Sequence, residues 1–97
     1  MSEKNKSEEF YKKLKGQLEE STTWPSNYLY KFIVKTDVEK IALIESIFNH
    51  TGAVISTQTS KNGNYTSVSI NVVMKDPDEV IKKYIEVTDK VEGVISL

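Results

Sequence analysis

The chain has no cysteine and no arginine, and each absence excludes a class of chemistry. Without cysteine there are no disulfides, no thiolate nucleophiles and no zinc sites built on cysteine. Arginine is the usual bidentate ligand of phosphate groups, so its absence argues against acylphosphatase-type catalysis. All 13 basic residues are therefore lysines, and with 14 acidic residues they give a net charge of −1. This balance predicts no general attraction to nucleic acid or to anionic membranes.

Groups for catalysis or metal binding are also scarce. His50 is the only histidine, and it lies near the C-terminal end of a predicted helix, where a surface or capping role is expected. Ser60, Ser67 and Ser69 have no adjacent base of the kind that nucleophilic catalysis requires. The acidic residues are spread along helix faces and do not cluster as metal ligands. We therefore expect no enzymatic activity, no metal site and no cofactor.

The charged N-terminus is followed by no long apolar run, so neither a signal peptide nor a membrane span is predicted. The cytoplasm is the expected compartment. Residues 7–20 have the pattern of a short amphipathic helix. Its apolar residues are Phe10, Tyr11, Leu14 and Leu18. We predict an N-terminal amphipathic helix and linker over residues 1–23, and one domain over residues 24–97.

This domain alternates between strand and helix patterns. Period-2 alternation predicts strands over residues 27–35, 53–60, 65–74 and 93–97. One helix is predicted to begin at a capping box of Thr36 and Glu39, and another at Asp76 and Pro77. The resulting order βαββαβ predicts an α+β, ferredoxin-like sandwich. It has a four-stranded antiparallel sheet with two helices on one face, plus the extra N-terminal helix.

The two helices of the domain differ in their apolar patterns. The first is expected to be the better buried, because its apolar set is broad. That set is Val38, Ile41, Ala42, Leu43, Ile44, Ile47 and Phe48. The second is predicted to bury Val80, Ile81, Tyr84, Ile85 and Thr88. Its outer side is predicted to form the i,i+4 ion pairs Asp78/Lys82, Glu79/Lys83 and Glu86/Lys90.

The sheet is predicted to have one buried and one open face. Asn62-Gly63 predicts a type I′ hairpin turn, which requires positive φ at both residues. Tyr28, Tyr30, Phe32 and Tyr84 fall on apolar faces and are predicted to be core residues. The other face is left to water, to the N-terminal helix or to a second subunit. Its outward residues and the hairpin lysine form the candidate interaction face: Leu29, Lys31, Ile33, Lys35, Lys61, Tyr65, Ser67, Ser69 and Asn71.

Two segments carry a family resemblance. Residues 24–32 read Trp-Pro-Ser-Asn-Tyr-Leu-Tyr-Lys-Phe, an aromatic-Pro start followed by an aromatic-x-aromatic-Lys strand. Residues 60–70 read Ser-Lys-Asn-Gly-Asn-Tyr-Thr-Ser-Val-Ser-Ile, close to a Ser-Lys-Gly-Asn-Tyr-x-Ser-Val-Ser pattern with Asn62 as an extra residue. These motifs resemble the YbeD-like family of small bacterial proteins of unknown function. The resemblance covers residues 24–97 and implies a ferredoxin-like fold similar to the ACT regulatory domains, which bind small effectors at dimer interfaces.

The open face is better suited to association than to catalysis, because it mixes aliphatic, hydroxyl and lysine side chains. We therefore expect a non-enzymatic regulatory or protein-interaction domain that binds a partner protein or a second copy of itself. A small effector such as an amino acid is an alternative that the resemblance implies. A weak RNA-binding module is a further alternative, but Tyr65 is the only aromatic residue of the face that can stack on bases.

Overall fold

The computed structural model describes residues 2–97, and their side chains from Glu8 onward. Three helices and four strands follow one another as α1 (Ser2–Ser21), β1 (Ser26–Lys35), α2 (Val38–Ile47), β2 (Val54–Thr59), β3 (Tyr65–Met74), α3 (Pro77–Lys90) and β4 (Ile95–Ser96). Met1, the first residue of the predicted N-terminal segment, lies outside the described residues. The division of the chain after residue 23 stays a prediction.

The four strands form one antiparallel sheet in the order β2-β3-β1-β4. β1 pairs with β3 along its whole length, from Ser26 opposite Met74 to Lys35 opposite Tyr65. The alternation of apolar residues in both strands fixes this register, because a slip of one residue would turn every apolar side chain to the other face. The predicted α+β, ferredoxin-like fold is confirmed.

The hydrophobic core lies between the helices and one face of the sheet. The even-numbered residues of β1 and β3 face it, and α2 and α3 cover it. Its buried apolar residues are Tyr30, Phe32, Val34, Ile44, Ile47, Phe48, Val68, Ile70, Val72, Met74, Val80, Tyr84, Val87 and Val91. The aromatic residues predicted as core are confirmed there, with Tyr28 partly buried at the margin.

Two tyrosine hydroxyls in this core have hydrogen-bond partners. The Tyr30 hydroxyl donates to the Val80 carbonyl at 2.9 Å, and the hydroxyls of Tyr28 and Tyr84 lie 2.7 Å apart. Burial raises the pKa of Tyr30 and of Tyr84 well above the usual tyrosine value, so both stay protonated. These bonds tie β1 to α3 without leaving a buried polar group unpaired.

The N-terminal cap of α2 differs from the prediction, which placed Thr36 there. Asp37 is the cap, with extended backbone, and its Oδ1 accepts a hydrogen bond from the Glu39 amide at 2.8 Å. The Thr36 hydroxyl is instead 3.0 Å from that of Thr66 on β3. Both residue types cap helices well, and the cross-strand contact of Thr36 decides between them.

The prediction that α2 is the better-buried helix is wrong. Only Ile44 and Ile47 are buried within α2, whereas Val38 is 83% exposed and Leu43 is 40% exposed. In α3 the buried positions are Pro77, Val80, Tyr84 and Val87, a stripe at helical spacing. A broad apolar set therefore did not identify the buried helix.

The predicted set of buried residues in α3 is also partly wrong. Val87 is buried although it was not in the predicted set, whereas Ile85 is 41% exposed and Thr88 is exposed. Ile81 and Ile85 line a groove toward α1, which covers this flank of α3. The stripe of α3 that includes Val80, Tyr84 and Val87 is therefore the buried one, while Ile81 and Ile85 lie toward α1.

Of the three predicted ion pairs on α3, Glu86 and Lys90 form one at 3.1 Å. Lys83 instead donates to the Ile47 carbonyl at the end of α2, at 2.6 Å, and Asp78 pairs with Lys15 of α1 at 2.9 Å. Neighbouring helices therefore provide partners that a pattern within one helix cannot show.

The N-terminal helix packs against α3, on the helix side of the sheet. Tyr11, Leu14 and Leu18 lie against the core, and the Trp24 indole donates to the Leu18 carbonyl at 3.1 Å. Phe10 is 61% exposed. Of the positions considered for this helix, the described side chains therefore exclude docking on the open face. None of the helices in the described part of the chain combines the length and apolar character that crossing a bilayer requires.

The β2–β3 hairpin does not contain the predicted type I′ turn. Gly63 has φ of 78°, but Asn62 is not among the residues with positive φ. The Gly63 amide donates to the Ser60 carbonyl, which closes a turn over residues 60–63. Asn62 contributes through its side chain, whose Oδ1 accepts hydrogen bonds from the Ser60 hydroxyl and the Asn64 amide. The side chain of Asn62, the residue that is extra relative to the family pattern, thus holds the loop through two hydrogen bonds.

Candidate functional site

The candidate interaction face lies on the side of the sheet away from the helices. Its eight strand residues form cross-strand pairs in the β1–β3 register, and Lys61 lies in the hairpin loop beside them. The pairs are Leu29 with Asn71, Lys31 with Ser69, Ile33 with Ser67, and Lys35 with Tyr65. The structure therefore brings the predicted strand residues together as one surface, which we call the open face.

Further apolar residues of this face were not in the predicted set. Val54 lies opposite Asn71 on β2, and Ile95 lies opposite Ile33 on β4. Val73 continues the outward alternation of β3. Their exposed fractions are 71% for Val54, 53% for Ile95 and 64% for Val73. The alternation could have identified Val73, but placing Val54 and Ile95 required the sheet register.

No helix of the described residues covers the open face, because α1, α2 and α3 all pack on the opposite side. Leu29, which lies opposite Asn71 at one end of this face, is 61% exposed. Ile33, Ser67 and Ser69 are shielded partly by their neighbours on the sheet. The open face therefore presents an aliphatic, hydroxyl and amide surface directly to solvent.

Two hollows lie at the hairpin end of this face. One, of ≈ 480 Å³, is lined by Ile33, Gln58, Thr59, Ser60, Lys61, Tyr65 and Ser67. The other, of ≈ 300 Å³, is lined by Lys35, Asn64 and Tyr65. Tyr65 borders both and is 46% exposed. The amide of Tyr65 donates to the Ser60 hydroxyl at 3.1 Å, which helps to hold the loop beside these hollows.

Two serine hydroxyls, one on the face and one in the adjoining hairpin loop, donate to a backbone or amide oxygen. The Ser67 hydroxyl donates to the Gln58 carbonyl at 3.3 Å, and the Ser60 hydroxyl donates to the Asn62 side chain at 3.0 Å. His50 lies after the end of α2, with φ of 64°, and forms no hydrogen bond to either serine. In the described residues, no group of three or more histidine, aspartate or glutamate side chains is arranged to hold a metal ion.

A second groove, of ≈ 500 Å³, lies on the helix side between α1 and α3. It is lined mainly by charged side chains of α1 together with Ile81 and Ile85, and the ion pair of Lys15 with Asp78 crosses it. None of the residues of the candidate interaction face contributes to this groove.

A comparison with protein families matches residues 19–95 to a family described as protein of unknown function (DUF493). The chain belongs to this family. The DUF493 match spans all of β1 to α3 and includes Ile95, the first residue of β4, while most of α1 precedes it. DUF493 is the YbeD family, so the resemblance carried by the two sequence motifs is confirmed. No curated protein and no solved structure matches the chain.

Proposed function

We propose that this DUF493 protein is a non-enzymatic regulatory domain that acts by binding a partner protein through the open face. The observation that carries the proposal is the exposed apolar content of that face. Leu29 and Val54 lie in one cross-strand row on either side of Asn71. Single exposed aliphatic residues are normal, whereas several on one face are typical of interaction sites.

The size of the open face supports the same proposal. β1 and β3 are 10 residues long, which corresponds to about 33 Å at the usual rise per residue. With β2 alongside, the flat area is roughly 500 Å², a large part of the about 800 Å² that one partner contributes to a standard interface. The serines and Asn71 between the aliphatic residues can supply the hydrogen bonds that such an interface contains.

Site-specific photo-crosslinking tests this proposal. A benzophenone amino acid at Leu29 should form covalent adducts with a protein in the cells that make this chain, because Leu29 is 61% exposed on the open face. The adducts are resolved by mass after denaturing electrophoresis. They are also distinguished by size from a cross-linked pair of this chain, which would indicate self-association.

The control is the same probe at Lys82, which is exposed on α3. It should give no adduct of the same mass. Equal adducts from both positions, or none from Leu29 together with a strictly monomeric protein in light scattering, would contradict binding through the open face.

A small effector is a second candidate, and the hollow of ≈ 480 Å³ at the hairpin end supports it. Lys61 and the hydroxyls of Ser60 and Tyr65 offer polar groups beside the apolar Ile33. Such a mixture is usual in small-ligand sites. A thermal-shift screen of the proteinogenic amino acids should give a concentration-dependent rise in melting temperature with at least one of them. A flat screen would rule against this candidate.

A further inference from the structure

The acidic residues of this protein are distributed unevenly between the sheet and the rest of the chain. Within the described residues, none of the four strands contains an aspartate or a glutamate. β1 carries Lys31 and Lys35 on the open face, and Lys61 lies in the adjoining hairpin loop. The open face is therefore positively charged although the chain has a net charge of −1.

The carboxylates that follow the strands in sequence are directed to other partners. Asp37 accepts a hydrogen bond from the Glu39 amide at 2.8 Å, and Asp76 accepts one from the Glu79 amide at 2.9 Å. Both therefore lie at helix N-termini, where a negative charge is stabilised. The ion pairs of the described residues all join helix residues. The lysines of the open face thus have no carboxylate partner within the described part of the chain.

This charge pattern distinguishes between the possible occupants of the face. Two copies packed face to face would bring lysines toward lysines, and such like-charge contacts are unfavourable. A nucleic acid would satisfy the lysines but would leave Leu29, Val54 and Val73 without apolar contacts, and base stacking would depend on Tyr65 alone. A protein surface that carries both carboxylates and aliphatic residues complements the whole face.

We infer that the partner of the open face is an acidic, aliphatic protein segment whose carboxylates pair with Lys31 and Lys35. This inference rests on the proposed function, because it names the partner of the same surface. Lys31 and Lys35 lie on one side of β1, about 13 Å apart at the rise of a strand, with Ile33 between them. An extended segment with glutamate or aspartate at every fourth position and an aliphatic residue midway between them has the matching spacing.

Three synthetic peptides of equal length test the inference. They share the repeat X-Ser-Val-Ser, in which X is glutamate, glutamine or lysine, so that X and valine alternate along one side of the extended peptide. Each is titrated into the ¹⁵N-labelled full chain while amide shifts are recorded. The glutamate peptide should shift the amides of Lys31, Ile33 and Ser69 and leave those of α2 unchanged. Its affinity should exceed that of the glutamine peptide by about tenfold at about 0.05 M salt and fall toward it at about 0.5 M, because salt screens exposed charges.

Charge reversal gives the matched comparison. The double substitution Lys31→Glu and Lys35→Glu should lower the affinity for the glutamate peptide by about tenfold or more. It should also make the lysine peptide the preferred ligand. Lys13→Glu with Lys82→Glu changes the net charge equally on exposed helix residues and should leave the preference unchanged. Thermal melts of both double variants, expected to match that of the parent, show that each is folded.

The outcomes separate this inference from the proposed function. If all three peptides bind the open face equally, the face is an interaction site but its preference for acidic partners is refuted. If no peptide of any charge shifts the amides of the face, the inference fails and the proposed function loses its support. Tighter binding of single-stranded RNA than of the glutamate peptide, at the same salt concentration, would assign the lysines to nucleic acid and overturn the inference.

Discussion

Buried tyrosines combine apolar packing with hydrogen bonding in this core. The rings of Tyr30 and Tyr84 lie with their centroids 4.8 Å apart in an edge-on arrangement, and Tyr30 stacks on Phe32 at 5.7 Å. Their hydroxyls connect β1 to α3. Each buried tyrosine contributes both apolar burial and a hydrogen bond of defined geometry. A few tyrosine side chains therefore help to fix the position of α3 on the sheet.

Removing the Tyr30 hydroxyl tests this contribution. Tyr30→Phe keeps the ring but loses the hydrogen bond to the Val80 carbonyl, and should lower the free energy of unfolding by about 1–2 kcal/mol. Urea denaturation measures the change. Tyr65→Phe, at a half-exposed ring, is the control and should change it by less than about 0.5 kcal/mol. Equal effects of the two substitutions would refute the role of the buried bond.

Two glycines provide a paired test of backbone conformation. An added methyl group meets no heavy atom within 4 Å at either Gly63 or Gly16, so steric contact does not distinguish them. Gly63 has φ of 78°, and Gly63→Ala should destabilise the protein by about 1 kcal/mol. Gly16 lies within α1, and Gly16→Ala should stabilise it by about 0.5–1 kcal/mol. Changes of the same sign in urea denaturation would contradict this account of the hairpin turn.

At the scale of elements, α1 is joined to the domain by a few specific contacts. Leu14 and Leu18 pack against the core, Lys15 pairs with Asp78, and the Trp24 indole bonds to the Leu18 carbonyl. Burial of the apolar residues dominates the energy of this docking, since the ion pair is exposed and contributes little. Because α1 lies beside α3, it leaves the open face uncovered.

Truncation of Leu18 tests the docking of α1. Leu18→Ala should lower the free energy of unfolding by about 1–2 kcal/mol, because Leu18 is only partly buried and loses part of its contact with the core. Glu19→Ala, at the exposed neighbouring position, should change it by less than about 0.5 kcal/mol. If α1 were detached in solution, the two variants would have the same stability in urea denaturation.

At the scale of the whole molecule, the core and the proposed binding surface lie on opposite faces of one sheet. The even-numbered residues of β1 and β3 form the core, whereas the odd-numbered residues form the open face. If the proposed function holds, we therefore expect substitutions on the open face to alter partner binding with little effect on folding. The distribution of charge follows the same division, because the strands carry Lys31 and Lys35 but no aspartate or glutamate, whereas helices and connections carry both signs.

Leu29→Asn tests this separation. It should change the free energy of unfolding by less than about 0.5 kcal/mol, because Leu29 is 61% exposed. It should also lower the affinity for the glutamate peptide, because an apolar contact is removed. Ile70→Val, on the core side of β3, should show the reverse: a loss of about 0.5–1.5 kcal/mol with peptide binding unchanged. Urea denaturation and the amide-shift titration measure the two effects. Loss of stability and binding together in Leu29→Asn would refute the separation.

The sequence by itself determined the order of the elements and the two faces of the sheet. Period-2 alternation specified β3 from Tyr65 to Met74 and separated Ile70 from Ser69, because successive strand side chains point to opposite sides. Asp76 and Pro77 specified the start of α3 through local capping. The strand residues of the candidate interaction face followed from the same alternation, so they could be named before their pairing was known.

Only the tertiary structure decided the features that depend on neighbouring elements. The packing of α3 on the sheet buries Val87 and leaves Ile85 exposed, and the contact of Thr36 with Thr66 left Asp37 to cap α2. The sheet register placed Val54 and Ile95 beside the predicted face. Local patterns are encoded by adjacent residues, whereas these choices depend on contacts between residues far apart in the chain, which a single sequence does not specify.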